Sequence, residues 1–230
     1  MRLILFDVDG TLVDSQQMIC AAMGEAYRDH GLVCPPRATL LSIVGLSLPD
    51  AFRRLAGDAD HPVEGLTARY KEAYFSLREA GTHEAPLYPG ALQAIDKLSK
   101  RKDVVLGIAT GKSRRGVAAI LSKYDFGGVF VTIQTSDTSP SKPHPDMVLT
   151  AMRETGIATA DTVVIGDTVF DMEMARAAGA AGIGVSWGYH PAENLRAAGA
   201  ATVIGDFAAL DAALDAHWPA VAESELSDHA

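Results

Sequence analysis

Two carboxylates one residue apart close the first apolar run of this chain. Leu3-Ile4-Leu5-Phe6 is followed by Asp7-Val8-Asp9-Gly10-Thr11. Residues two apart on a strand face the same way, but Gly10 lets the chain turn at Asp9, so the two side chains can diverge. One carboxylate at a strand tip can then act as a nucleophile while its neighbour gives and takes a proton. Oxygen donors gathered there also suit a hard cation such as Mg2+, and a backbone carbonyl serves as well as a side chain. On these residues alone, a strand running into an ordinary Asx turn is the competing reading.

Three later segments extend the chemistry. Ile108-Ala109-Thr110-Gly111-Lys112-Ser113 ends an apolar run in a hydroxyl and a glycine just before a helical stretch, where donors can meet an anion. It mimics a nucleotide P-loop, but only three residues separate Gly107 from Gly111-Lys112-Ser113 where that motif needs four, which excludes it. Ser141-Lys142-Pro143-His144-Pro145-Asp146 fixes the backbone around one lysine. Taken alone, it reads as an exposed lysine at a helix start. Val163-Val164-Ile165-Gly166-Asp167 ends another apolar run in an acid, with Asp171 four residues on. Asp167 can share a cation with Asp7. Asp171 reads either as a helix N-cap or as a group orienting Asp167, Lys142 or a bound water. The seven histidines show no metal-ligand spacing, and His144 between its prolines reads as structural or as the edge of a substrate site.

Such residues must be brought together by a sheet. Residues 103–109, 128–133, 162–166 and 182–185 read as strands, with 202–204 as a short last one. Residues 90–100, 113–124, 144–155 and 170–178 read as helices, and 207–217 as a closing helix. Nearly continuous apolar strands alternating with helices predict an α/β fold, a doubly wound, Rossmann-like parallel sheet covered on both faces. Ligands of such sheets gather at the carboxyl ends of the strands, where all four segments fall. The alanines of 175–181 read as close packing of a helix on the sheet.

Residues 15–86 break the rhythm. Their apolar positions recur at helical spacing, as in Ala51, Phe52 and Leu55 and again in Tyr70, Tyr74 and Leu77. Pro35-Pro36, Pro49 and the stretch 57–62 divide them into several helices. The expected organisation is an α/β core over 1–14 and 87–230 with a helical insertion over 15–86, hinged near Asp14 and Tyr88-Pro89-Gly90. The tail 223–230 is polar and expected to fray.

Charge and composition narrow the partners. A net charge of −9 without a long cationic run argues against a nucleic-acid surface. An anionic protein handling an anionic substrate needs local positive groups and a metal. Cys20 and Cys34 form no disulfide framework and read as reduced thiols of a cytoplasmic protein. The apolar start stops at Asp7, and no later segment has the apolar length of a membrane span. A monomer or homodimer with no nucleic-acid or membrane partner is expected.

Together, Asp7-x-Asp9-Gly10-Thr11, Thr110-Gly111, Lys142-Pro143 and Gly166-Asp167 with Asp171 resemble the haloacid-dehalogenase superfamily of phosphotransferases. Order and spacing agree from Arg2 to about Phe207, and the helical insertion is similar to that superfamily's small α-helical cap. The resemblance implies that Asp7 attacks phosphorus to form an aspartyl-phosphate. Asp9 then protonates the leaving oxygen and later activates water. It further implies Mg2+ held by the Asp7 carboxylate, the Asp9 carbonyl and Asp167, with Asp171 in support. Thr110, Lys142 and backbone amides near Gly10 and Gly111 would hold the phosphoryl oxygens.

The namesake dehalogenases need no acid at the second position, because a halide leaves without a proton. Asp9 therefore favours phosphate transfer. Superfamily phosphonatases use a cap lysine for a Schiff base, and Lys71 is the only lysine between Asp14 and Pro86. Ser42-Ile-Val-Gly45-Leu-Ser-Leu48 and Lys142-Pro-His-Pro-Asp146 are similar to phosphoglycolate-phosphatase-like members. The expected activity is thus Mg2+-dependent hydrolysis of a small phosphorylated metabolite. A sugar-phosphate mutase of β-phosphoglucomutase type is the alternative, followed by a binding protein without turnover. For a substrate bearing a carboxylate, Arg53, Arg54 and Arg69 are the expected receptors, each against a reading as a solvated helix charge.

Overall fold

The first strand, β1 (Arg2–Phe6), lies inside a six-stranded sheet, and its residues 3–6 are buried. The computed structural model describes residues 1–126 and 128–218. Beside β1 stand β2 (Val104–Thr110), β3 (Phe130–Thr135), β4 (Thr162–Gly166), β5 (Ala181–Val185) and β6 (Ala200–Ile204). The order is β3-β2-β1-β4-β5-β6, and every pairing is parallel.

Alternation along each strand explains why both faces are covered. Ile4 and Phe6 join Leu106, Ile108, Val163 and Ile165 in one apolar cluster. That cluster takes in α5 (Ala91–Ser99), α6 (Arg114–Lys123) and α10 (Leu210–His217) through Ile95, Val117 and Leu214. Leu3, Leu5 and Val164 point the other way, onto α7 (Asp146–Thr155) and α8 (Val169–Ala177) through Met147, Ala151 and Ala175. Ala178 and Ala180 belong to this second cluster, so the alanine-rich stretch packs against the sheet as expected.

Strand order reverses between β1 and β4, which leaves a crevice beyond their carboxyl ends. Asp7 follows β1 and Asp167 follows β4, so both acids stand at its mouth.

Between β1 and α5 the chain forms α1 (Gln16–Asp29), α2 (Arg37–Leu41), α3 (Leu48–Ala56) and α4 (Val63–Ala80). They share an apolar cluster of their own, built on Met23, Tyr27, Phe52, Leu66 and Tyr70. The two segments joining this block to the sheet are tied to each other. Asp14 N donates to Pro86 O at 2.8 Å, Tyr88 N donates to Leu12 O at 2.9 Å, and Val13 pairs with Leu87 in an antiparallel bridge.

Several boundaries differ from the sequence reading. The third strand runs over 130–135 rather than 128–133, because Gly128 sits at φ +75° in the preceding turn. α7 starts at Asp146 instead of His144, since a residue before proline is disfavoured in the helical region. The segment expected as one closing helix begins with a single 3-10 turn over Phe207–Ala209, capped by the Asp206 carboxylate, before α10. A further helix, α9 (Ala192–Ala198), is additional to the sequence reading, although Pro191 before it and Gly199 after it are ordinary start and stop signals. The expected frayed tail, 223–230, lies outside the described residues. No helix among the described residues is long and apolar enough to cross a membrane.

Candidate active site

Asp7 extends the central ladder by one step, its N–H donating to Ile165 O at 2.9 Å. The side chain is therefore aimed by two strands, and it is buried. Asp7 Oδ1 lies 3.0 Å from Lys142 Nζ, while Asp7 Oδ2 has no hydrogen-bond partner among the described residues. The Lys142 side chain is fully buried and donates to Asp171 Oδ1 at 2.6 Å. The lysine that reads alone as exposed is thus the cation of a buried site.

Asp171 takes the orienting role, holding Lys142, and the N-cap reading is corrected. The N-cap of α8 is Thr168, and Asp171 is its partner three residues on, accepting from Thr168 N at 3.0 Å and from Thr168 Oγ1 at 2.7 Å. Its Oδ2 closes the helix end while its Oδ1 holds Lys142.

Asp167 is held from two sides. Its Oδ1 accepts from Thr11 Oγ1 at 3.0 Å and its Oδ2 from Tyr189 N at 2.8 Å. Gly10 and Gly188 press so closely on this carboxylate that a Cβ on either would collide with it. Gly10 also sits at φ +87°, which alone favours glycine.

Asp9 turns away from Asp7, as the turn at Gly10 suggests. Lys112 Nζ donates to both of its oxygens at 2.9 Å, and Ser15 Oγ donates to Asp9 Oδ1 at 2.6 Å. Lys112 also donates to Tyr74 Oη on α4 at 3.2 Å, so one ammonium touches both the sheet loop and the helical block. Thr110 is buried, and Thr110 and Gly111 line the same cavity as Asp7 and Asp9.

Burial dominates the electrostatics. It pushes the Asp7 carboxyl up to about 6, against the pull of Lys142, with Asp171 adding to the rise. Burial, with Asp171 and Asp7 beside it, likewise raises Asp167. For Lys142, burial alone would favour the neutral amine, but Asp171 and Asp7 outweigh it and raise the ammonium above its ordinary value. Asp9 and Tyr74 do the same for Lys112 against its own burial.

The donors fit a hard divalent cation. Asp7, Asp167 and Asp171 each offer a carboxylate oxygen, and these oxygens lie within 4.8 Å of one another. All three are oxygen donors, which suits Mg2+. Asp7 Oδ2 is a buried acceptor without a donor, and such an atom calls for a ligand. Asp171 is paired with the Lys142 ammonium, whereas Asp167 accepts only from the neutral donors Thr11 Oγ1 and Tyr189 N, so Asp7 and Asp167 are the better side-chain ligands.

A cavity of about 470 Å3 opens above these residues, walled by α1, α3, α4 and the loop 42–47 on one side and the sheet loops on the other. None of the three arginines singled out in the sequence lines it. Arg53 pairs with Asp50, Arg54 lies over the Phe170 ring, and Arg69 pairs with Glu25 and Asp29. The cations on its wall are Lys71, Arg78, Lys112 and Arg115, of which only Lys112 is not exposed. His144 does not line the cavity; its Nδ1 accepts from Asp146 N at 3.2 Å.

Four residues of the site carry no sequence signal of their role: Lys112, Ser15, Tyr74 and Tyr189. Lys112 stands in the Thr110-Gly111 segment, but its partner Asp9 is 103 positions away. Only the α4 periodicity points toward Tyr74, and it marks that residue as core.

An all-parallel doubly wound sheet thus places a buried carboxylate, a buried lysine and a metal-fit acid pair at its switch point, where ligands of such sheets bind. The chain belongs to the haloacid dehalogenase-like hydrolase family, whose model matches residues 4–185. It is 34% identical over 210 residues to a probable phosphatase, IndB, of Dickeya dadantii (strain 3937), covering 89% of this chain and 90% of the relative. It is 31% identical over 232 residues to a phosphoglycolate phosphatase of Pseudomonas fluorescens (strain Pf0-1), covering 97% of this chain and 85% of that one. The crystal structure of a hydrolase from Pseudomonas syringae superposes with a TM-score of 0.82 at 28% identity, over 94% of this chain and 99% of the other.

Proposed function

We propose that the protein is a Mg2+-dependent phosphomonoester hydrolase that works on a small phosphorylated metabolite through an aspartyl-phosphate on Asp7. The observation that carries this reading is the free, buried Oδ2 of Asp7, held beside Lys142 and within reach of Asp167 at the floor of the cavity. The relatives named as phosphatases support the reaction class, and the one named phosphoglycolate phosphatase supplies the first compound to try.

In this mechanism an Asp7 oxygen attacks phosphorus and the bond to the leaving oxygen breaks, with Asp9 supplying that oxygen's proton. Asp9 then takes a proton from water as the water attacks the same phosphorus, and the bond to Asp7 breaks to release phosphate. Lys142, Thr110 and the backbone amides near Gly10 and Gly111 hold the phosphoryl oxygens. Donors placed in advance around developing charge usually account for most of the acceleration in such a transfer. Asp7, Asp167 and the carbonyl of Asp9 would hold the Mg2+, which supplies positive charge to the phosphoryl oxygens when bound. Lys112 and Ser15 fix where the Asp9 carboxylate points. The helical block acts as a cap over this chemistry. The free thiols Cys20 and Cys34 support a cytoplasmic setting.

Phosphate release from phosphomonoesters with Mg2+ tests the reading. Asp7→Asn is expected to lose on the order of 10^4-fold or more in kcat. Wild-type activity no higher than that of the variant would end the hydrolase reading, and isomer formation in place of free phosphate would point to a mutase.

A further inference from the structure

The cavity is larger and more apolar than a two-carbon phosphorylated acid requires. Its volume of about 470 Å3 falls in the range of roughly 300–1,000 Å3 found for sites that enclose drug-sized molecules. Ile19, Met23, Val44, Leu46 and Tyr70 give it an apolar wall beyond the phosphate-facing residues. Two guanidiniums from different layers line it as well. Arg78, on α4, lies 5.3 Å from the centre of the Phe75 ring, and Arg115, in the first turn of α6, lies 4.2 Å from it.

Both arginines line the cavity, and neither forms an ion pair with a carboxylate among the described residues. Asp137 is the nearby acid on the same wall, and it is engaged, accepting from Arg114 N at 2.7 Å. Two like charges gathered on one ring, neither of them salt-bridged among the described residues, add positive field to that part of the cleft. The aromatic face holds each guanidinium in place without neutralising it.

We infer that the substrate is the phosphate monoester of a partly apolar alcohol carrying a second anionic group, which Arg78 and Arg115 receive together at the cavity wall. This rests on the hydrolase reading and names its leaving group. The apolar body packs on that wall, and the second anion bridges the helical block to α6. A two-carbon phosphorylated acid reaches the phosphate floor but leaves the apolar wall wet.

Three probes separate the possibilities: 2-phosphoglycolate, phenyl phosphate and 4-carboxyphenyl phosphate. Each is measured by kcat/KM with the wild type and by Kd with the Asp7→Asn variant, which binds without turnover. The carboxylated aryl ester is expected to exceed phenyl phosphate by roughly ten- to a hundredfold, the worth of hydrogen bonds to a charged group, and to exceed 2-phosphoglycolate. In Arg78→Gln and Arg115→Gln, both exposed positions, the ratio of carboxylated to plain aryl ester should fall toward one. A preference for 2-phosphoglycolate, or a ratio that survives the double Arg→Gln variant, overturns the inference. Absence of turnover with every probe, alongside arginine-dependent binding to Asp7→Asn, removes the hydrolase reading and with it the leaving group, and leaves only the two-arginine anion site standing.

Discussion

At the scale of single residues, the site depends on cations that do not compete for the same acid. Lys142 belongs to Asp7 and Asp171, and Lys112 belongs to Asp9. Replacing Lys142 by Met leaves two buried carboxylates without their counter-charge, so we expect a loss of about 3–5 kcal/mol in urea unfolding. A loss below about 1 kcal/mol would mean that the buried pair does not hold the site together. The Asp9 side of the site predicts a different phenotype. Asp9→Asn should cost about 10^2–10^4 in kcat. Lys112→Met, which keeps Asp9 but removes the ammonium that aims it, should cost less and should leave the unfolding midpoint closer to wild type.

Asp7, Asp9, Thr110, Lys142, Asp167 and Asp171 are all legible as candidates, because each sits just past an apolar strand or at a helix start, where local pattern is informative. Their partners are not legible, because a pairing such as Lys112 with Asp9 is decided by which strand ends meet. Arg69 shows the converse. It is a cationic residue on an amphipathic helix, and nothing local indicates that Glu25 and Asp29 of α1 will claim it.

At the scale of elements, the contact between the helical block and the sheet is close enough to be tested by one methyl group. The loop before α3 lays the carbonyls of Gly45 and Leu46 directly against Gly111, where a Cβ would collide with both. Ser47 N also donates to Ser141 Oγ at 2.8 Å, and His190 Nε2 faces Ser42 O at 3.2 Å. Burial lowers His190, which fits a neutral ring that donates through Nε2 and accepts from Val169 N through Nδ1. Gly111→Ala must therefore push the block away from the sheet. We expect kcat/KM to fall by about tenfold or more from a displacement on the order of 1 Å, with the thermal midpoint little changed, because the loop yields before the core does. Unaltered kinetics would show that the block does not need this contact to act.

The strands are legible at this scale because a buried parallel strand is a short apolar run bounded by turns. Their ends move where glycine or proline geometry decides them, as at Gly128 and Pro145. The seven-residue α9 has too few apolar positions to show a period, which leaves only its flanking Pro191 and Gly199 as signals.

At the scale of the whole molecule, three acids crowded at one switch point cost stability unless a cation or protons join them. The folded protein raises Asp7 to about 6 from an ordinary 3.8, so it binds that proton more tightly than the unfolded chain does. The sign follows directly. This group favours folding below the unfolded value, and the contribution is lost as pH rises through the folded value near 6. In chelated protein, the change in thermal midpoint between pH 4 and pH 7 should therefore be less favourable toward high pH than in Asp7→Asn, which has no carboxyl to titrate. Mg2+ should reverse the penalty, since it takes the place of the proton and binding it releases that proton. At a hundred times its dissociation constant the ion contributes about 2.7 kcal/mol, which for a chain of this length is a rise of roughly 5–10 °C. That rise should be full at pH 7.5 and much smaller at pH 5, where Asp7 holds its proton, and it should shrink in Asp167→Asn at both. An equal Mg2+ shift at the two pH values would show that the ion binds somewhere other than the Asp7 carboxylate.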